Sequence, residues 1–194
     1  MTLRKRWERG QVVQTLGFDD VPFNKEVDQV VHVAGMFCQN TRLEGMVWGA
    51  VTRDGTDATE VIIDLVTRSK FYPSVDLILL DGLTFAGMNV VDLPALAERT
   101  ERPCASIMRR PPDFAAIEHV LTRFDDGPMR RARMAAAGPV HERGGFCFQV
   151  MGAEPDVLAP LLQRLTDRGK VPEPLRLAHL VGAAVKLGQS GKRA

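Results

Sequence analysis

The stretch that most constrains the fold is Val75-Asp76-Leu77-Ile78-Leu79-Leu80-Asp81-Gly82, where four consecutive apolar residues run straight into a carboxylate and a glycine. A short unbroken apolar run behind a helical pattern reads as a strand buried on both faces, as in parallel sheets. In open α/β sheets, ligands collect just outside the carboxyl ends of the strands, and Asp81 stands there. Asp-Gly is also a common turn pair, so this segment alone leaves a plain turn open.

The remaining segments supply a sheet for that strand. Gln11 to Asp19 begins as a strand and gives way to turn residues at Asp20, Pro22 and Asn24. Glu26 to Cys38 and Arg42 to Arg53 are β-rich and flank a hairpin loop at Gln39-Asn40-Thr41, so three strands form an antiparallel meander. From Asp57 to about Lys70 the period becomes helical, with Val61, Ile62, Leu65 and Val66, and Asp57 with Glu60 resembles a capping box. Asp92 caps a helix to Glu101, Pro103 to Met108 is a strand ending in Arg109-Arg110, and Pro112 starts a helix through Leu121. Glu142 to Met151 reads as one strand. Helices follow from Glu154 or Pro155 to Arg168 and from Pro172 or Pro174 through Leu187, and Gln189 to Ala194 reads as loose. Crossovers between consecutive parallel strands are short and right-handed. The expectation is one α/β domain over 1–194, a mixed five-stranded sheet of antiparallel meander plus parallel strands, flanked by helices. Asp19 and Asp81 then project from the carboxyl ends of neighbouring strands.

Composition excludes several classes. Net charge is +1 over 194 residues, so affinity for nucleic acid must come from local patches rather than the whole surface. No apolar run approaches the roughly 20 residues of a membrane span. The basic start, Met1 to Arg6, leads to no apolar segment, so no secretory signal is expected. Cys38, Cys104 and Cys147 lack metal-like spacing, and Cys38 and Cys147, in apolar runs, read as buried free thiols of a reducing cytoplasm.

Two carboxylates on adjacent strand ends repel, and each is costly without a compensating cation. Hard cations such as Mg²⁺ take carboxylate oxygens and keep waters for substrate phosphate. Such a site needs a further acid from the helix after the meander, where Asp57 and Glu60 lie one turn apart on one face. Each equally suits a cap of that helix. Arg130-Arg131-Ala132-Arg133 reads as a solvated face or a phosphate patch.

Gly17-Phe18-Asp19-Asp20, Leu79-Leu80-Asp81-Gly82 and Pro172-Glu173-Pro174-Leu175-Arg176-Leu177-Ala178-His179 resemble endonuclease V motifs. Gly17 through Phe23, Asp54-Gly55-Thr56-Asp57-Ala58-Thr59, and Leu80-Asp81-Gly82 through Asn89-Val90-Val91-Asp92 are similar to a mostly archaeal group, the domain of unknown function family ninety-nine, usually placed beside endonuclease V. The resemblance covers nearly the whole chain. It implies an RNase H-like fold and a Mg²⁺- or Mn²⁺-dependent nuclease acting on DNA or RNA, with metal held by Asp19, Asp81 and either Asp57 or Glu60. A spacing of 21 residues before Asp81 selects Glu60, and the group's own pattern selects Asp57. His179 matches a histidine near the metal, and Arg109 and Arg110 fall where endonuclease V carries a lysine pair, suited to gripping phosphate. The chain departs from endonuclease V at Thr52 to Asp57, which lacks that family's aromatic, proline-bearing wedge, and at Leu83 to Asn89, which replaces a glycine-rich segment of the base pocket. An alternative is therefore an inactive module on the same fold that binds nucleic acid or protein.

Overall fold

The computed structural model describes residues 3–190, so Gly191 to Ala194 of the tail expected to be loose lie outside the described residues. Helix α1 (Leu3–Glu8) leads into the meander β1 (Gln14–Asp20), β2 (Val30–Gln39) and β3 (Arg42–Thr52). Helix α2 (Ala58–Thr67) crosses to β4 (Leu77–Asp81), and a small hairpin of β5 (Thr84–Phe85) and β6 (Asn89–Val90) follows. Then come α3 (Leu93–Thr100), β7 (Cys104–Met108), α4 (Phe114–Leu121), α5 (Gly127–Ala136), β8 (His141–Arg143), β9 (Phe146–Met151), α6 (Pro155–Arg164) and α7 (Glu173–Leu187).

The main sheet runs β3-β2-β1-β4-β7-β9-β8. Strands β1, β4 and β7 are mutually parallel and all other pairings are antiparallel. The expected five strands are thus the first five of seven. The other two come from the segment read as a single strand over Glu142 to Met151. It folds back on itself because Gly144 and Gly145 both take positive φ, +61° and +84°, a turn open to glycine.

The sheet is covered on both faces, which is why Leu77 to Leu80 are all buried. One core packs Leu16, Phe18, Ile78 and Leu80 against Ile62, Ile63 and Val66 of α2 and Leu93 and Leu96 of α3. The opposite core packs Val13, Leu77, Leu79 and Ile107 against Leu158, Leu161 and Leu162 of α6 and Leu175 of α7. Asp92 caps α3 as expected, its Oδ1 accepting from the Ala95 amide at 3.0 Å. The helix expected from Pro112 starts instead at Phe114, where Asp113 accepts from Ala116. The three cysteines are buried and free. No helix among the described residues is long and apolar enough to cross a membrane.

Candidate active site

Phe18 pairs with Leu80 across the parallel β1/β4 ladder, so the next residues, Asp19 and Asp81, are neighbours at the carboxyl rim. Adjacent strands lie about 4.8 Å apart. Strand alternation puts Asp19 on the face of Gly17, and Asp81 on the face of Leu77 and Leu79. Both belong to the face that α7 and α6 cover.

Glycine at position 17 sets the height of the site's roof. A Cβ there would lie 2.6 Å from Pro174 Cβ and 2.9 Å from its carbonyl carbon, so only a bare backbone lets the first turn of α7 rest on β1. A little over one turn later, His179 Nδ1 stands 3.0 Å from Asp19 Oδ2. Asp19 is only 6% exposed. The Asp19 hydrogen bond raises the His179 pKa against an opposing effect of burial, so the ring is held toward its protonated, donating form.

Asp81 has no such partner: among the described residues, no hydrogen bond reaches its carboxylate. Burial, and then the Asp19 charge, push its pKa up to about 6, while Arg109 and His179 pull it down. Asp20 points to the other face, where its Oδ2 accepts from the Ala86 amide at 2.5 Å. Burial pushes it up to about 6 as well; the Ala86 bond lowers it and the Asp19 charge raises it. Asp19, Asp20 and Asp81 thus feel one another's charge at this end of the sheet, with Arg109 and His179 as counter-charges.

The other residues singled out by sequence are placed as follows. Arg109 is exposed just past β7, and its charge is felt at Asp81 and His179; Arg110 is exposed beside it. Asp57 does not cap α2 with its side chain. Its carboxylate turns back to the Thr52 amide at 3.1 Å and the Thr52 hydroxyl at 2.8 Å, and Asn89 Nδ2 donates to it at 2.5 Å. Asn89 Oδ1 satisfies the first amide of α2 instead, accepting from Ala58 at 3.0 Å. Glu60 is exposed and paired with Arg99 of α3, which lowers its pKa. None of the charges that weigh most on Asp81 comes from α2.

Sequence reasoning passed over the residues that shape the adjoining loops. Arg130, read there as part of a solvated face or a phosphate patch, is 3% exposed. It donates to the carbonyls of Asp54 at 2.7 Å and Gly55 at 3.1 Å and to that of Met88, and it pairs with Asp126. Arg133 donates to the Val90 carbonyl at 3.1 Å and Arg131 pairs with Glu118. The only signal for these roles was position, since α5 follows the loops it pins.

The donor set fits a hard cation of modest ligand demand. Among the described residues, no group of three or more His, Cys, Asp or Glu is arranged to hold a metal. Mg²⁺ is commonly held by one or two carboxylates and completes its shell with water and phosphate oxygens. Asp19 and Asp81 are the two rim carboxylates that such an ion would take, and among the described residues no hydrogen bond reaches the Asp81 carboxylate.

The family model described as "Endonuclease dU" matches residues 11–186. The chain belongs to the endonuclease dU family. Relatives of this family member include UPF0215 proteins of Methanopyrus kandleri, 37% identical over 94% of this chain and 95% of theirs, and of Methanothermobacter thermautotrophicus, 39% identical over 92% and 90%. A crystal structure of an Archaeoglobus fulgidus protein of unknown function superposes with a TM-score of 0.84 at 32% identity, covering 89% of this chain and 98% of that one. The catalytic domain of human endonuclease V superposes at 0.61 with 11% identity, covering 97% and 89%. Ciona intestinalis endonuclease V, in complex with a 24mer DNA containing an inosine, superposes at 0.55 with 12% identity, covering 91% of each chain. The chain thus has the fold of endonuclease V.

Proposed function

We propose that this endonuclease dU family member is a Mg²⁺- or Mn²⁺-dependent nuclease that hydrolyses a phosphodiester in DNA or RNA at the Asp19/Asp81 rim. One observation carries the reading: two carboxylates from distant segments share one face and one end of adjacent parallel strands, and one is pushed up to about 6 by burial and by its neighbour's charge. Paired carboxylates with shifted ionisation mark functional sites.

Asp19 and Asp81 would hold the ion, which when bound supplies Lewis-acid polarisation of a phosphoryl oxygen and an acidified water. His179 Nδ1 holds Asp19, and its Nε2, the ring's other proton site, would donate to or accept from an oxygen at phosphorus. Arg109 offers the phosphate a fixed positive charge beside Asp81, and Arg110 extends that grip. Asp57 and Glu60 serve the scaffold: Asp57 ties the end of β3 to β6, and Glu60 ties α2 to α3.

The test is cleavage of labelled DNA and RNA, single-stranded and duplex, plain or bearing deoxyuridine or inosine, with Mn²⁺ or with EDTA. The family's description directs attention first to deoxyuridine, and the endonuclease V neighbour to inosine. Cleavage that requires both metal and Asp81 supports the proposal; cleavage indifferent to Asp81→Asn contradicts it. The lack of a third ligand side chain among the described residues favours a second reading, a nucleic-acid-binding module without catalysis. Binding in EDTA with no cleavage under any metal would select that module.

A further inference from the structure

A cavity of about 380 Å³ opens beside the rim, lined by Phe23 and Lys25 after β1, Arg53 and Asp54 after β3, and Arg123 and Phe124 after α4. It is joined to the acidic site through one residue. The Ala86 amide donates to Asp20, and the Ala86 carbonyl accepts from the Asp54 amide at 2.9 Å, so the cavity wall is anchored to Asp20, the last residue of β1. Arg130, stacked 4.4 Å from the Phe124 ring centroid, clamps the same loops from behind and fixes the cavity's shape.

In its wall Arg53 pairs with Asp54 at 3.6 Å, as Arg42 and Arg99 do with carboxylates elsewhere. Lys25 and Arg123 are exposed and enter no ion pair among the described residues; Arg123 reaches only the His119 ring nitrogen, at 3.5 Å. Two free cations and two aromatic rings around a concavity are the means by which proteins hold a single strand, the rings stacking a base and the cations meeting its phosphates. A duplex keeps its bases stacked inward and offers such a concavity only phosphates.

We infer that this cavity is a nucleotide subsite for an unpaired strand: Phe23 and Phe124 receive one base, and Lys25 and Arg123 meet the phosphates on either side of it. The inference rests on the nuclease reading of the neighbouring rim and adds to it a preference for single-stranded substrate.

The experiment measures binding without metal, so that it does not depend on cleavage. Fluorescein-labelled dT12 and a 12-base-pair duplex are titrated by anisotropy in EDTA over a salt series, with wild type, Lys25→Ala/Arg123→Ala, Phe124→Leu and, at the far end of β3, Arg42→Ala. Wild type should prefer dT12. The double variant should lose about tenfold in affinity for dT12, and its salt slope should fall by about 1.4, the value for two phosphate contacts on a single strand. Phe124→Leu should lose about fivefold with an unchanged slope, and Arg42→Ala should match wild type. Unchanged dT12 affinity in the double variant, or equal losses on single strand and duplex, would each overturn the subsite. If Asp81→Asn leaves nucleic-acid cleavage intact, the nuclease reading fails while the binding result stands by itself.

Discussion

Asp19 and Asp81 at the carboxyl rim differ from Asp57 and Glu60 at the start of α2 in what surrounds them. The α2 acids are satisfied: Asp57 by a backbone amide, a hydroxyl and a carboxamide, Glu60 by the Arg99 guanidinium. The rim acids crowd one another, with His179 on one of them and no hydrogen bond on the other among the described residues. A fold that leaves like charges unbalanced at a strand end loses stability there, and such losses are kept where activity requires them. We read the contrast as one between acids that maintain the structure and acids proposed to take a ligand.

The largest effects should fall on the rim. Asp19→Asn and Asp81→Asn should each lower Mn²⁺-supported cleavage by more than about a hundredfold, since altering residues that only orient metal ligands already costs about 10–100-fold. Asp81→Asn should melt no lower than wild type, because it removes a repelled charge. Loss of folding in that variant would break the contrast. His179→Ala should cost about 10–100-fold in activity by freeing Asp19, with the melting temperature changed by only a few degrees.

Next comes Asp57→Ala, which orphans the Thr52 amide and loosens Asn89. A loss of about 1–3 kcal/mol is expected, read as a melting temperature lower by roughly 3–10 °C, with metal-supported turnover retained in the folded fraction. Glu60→Ala removes only an exposed ion pair, so its effect should stay near 0.5 kcal/mol, within about 2 °C.

The pH dependence of metal-free stability follows the same contrast. Asp81 rises from 3.8 to about 6 on folding, so the native state holds its proton more tightly than the unfolded chain. That contribution is full below the unfolded value and is lost as pH rises through about 6. His179, raised above its ordinary 6.5, adds a contribution of the same sign that is lost at higher pH. Melting temperature should therefore fall from about pH 5 to pH 7 without metal, and Mn²⁺ should restore it at pH 7 more than at pH 5. A profile that Asp81→Asn leaves unaltered would remove Asp81 from the account.

Much of the rim was legible in the sequence because its signals are local. Leu77 to Leu80 is too uniformly apolar for a one-sided strand, and Asp81-Gly82 ends it. Gly17-Phe18-Asp19-Asp20 marks the other strand end, although only the structure shows that Gly17 lets α7 approach. What was not legible depends on partners far along the chain. The α2 acids look alike in sequence, and only Asn89 and Arg99, more than 30 residues on, reveal what each one does. Arg130 looks like any arginine on an exposed helix until its contacts with Asp54 and Gly55 are seen. The hairpin between β8 and β9 was missed because the alternation of Phe146, Phe148 and Val150 outweighed the Gly144-Gly145 pair in the reading.

Mn²⁺ binding followed by calorimetry at pH 7 tests the contrast most directly, in wild type, Asp19→Asn, Asp81→Asn, Asp57→Asn and Glu60→Gln. Binding lost in the two rim variants and kept in the two α2 variants is the predicted result. Binding that survives both rim substitutions, or that disappears with Asp57→Asn or Glu60→Gln while the protein stays folded, would place the ion elsewhere and contradict the account.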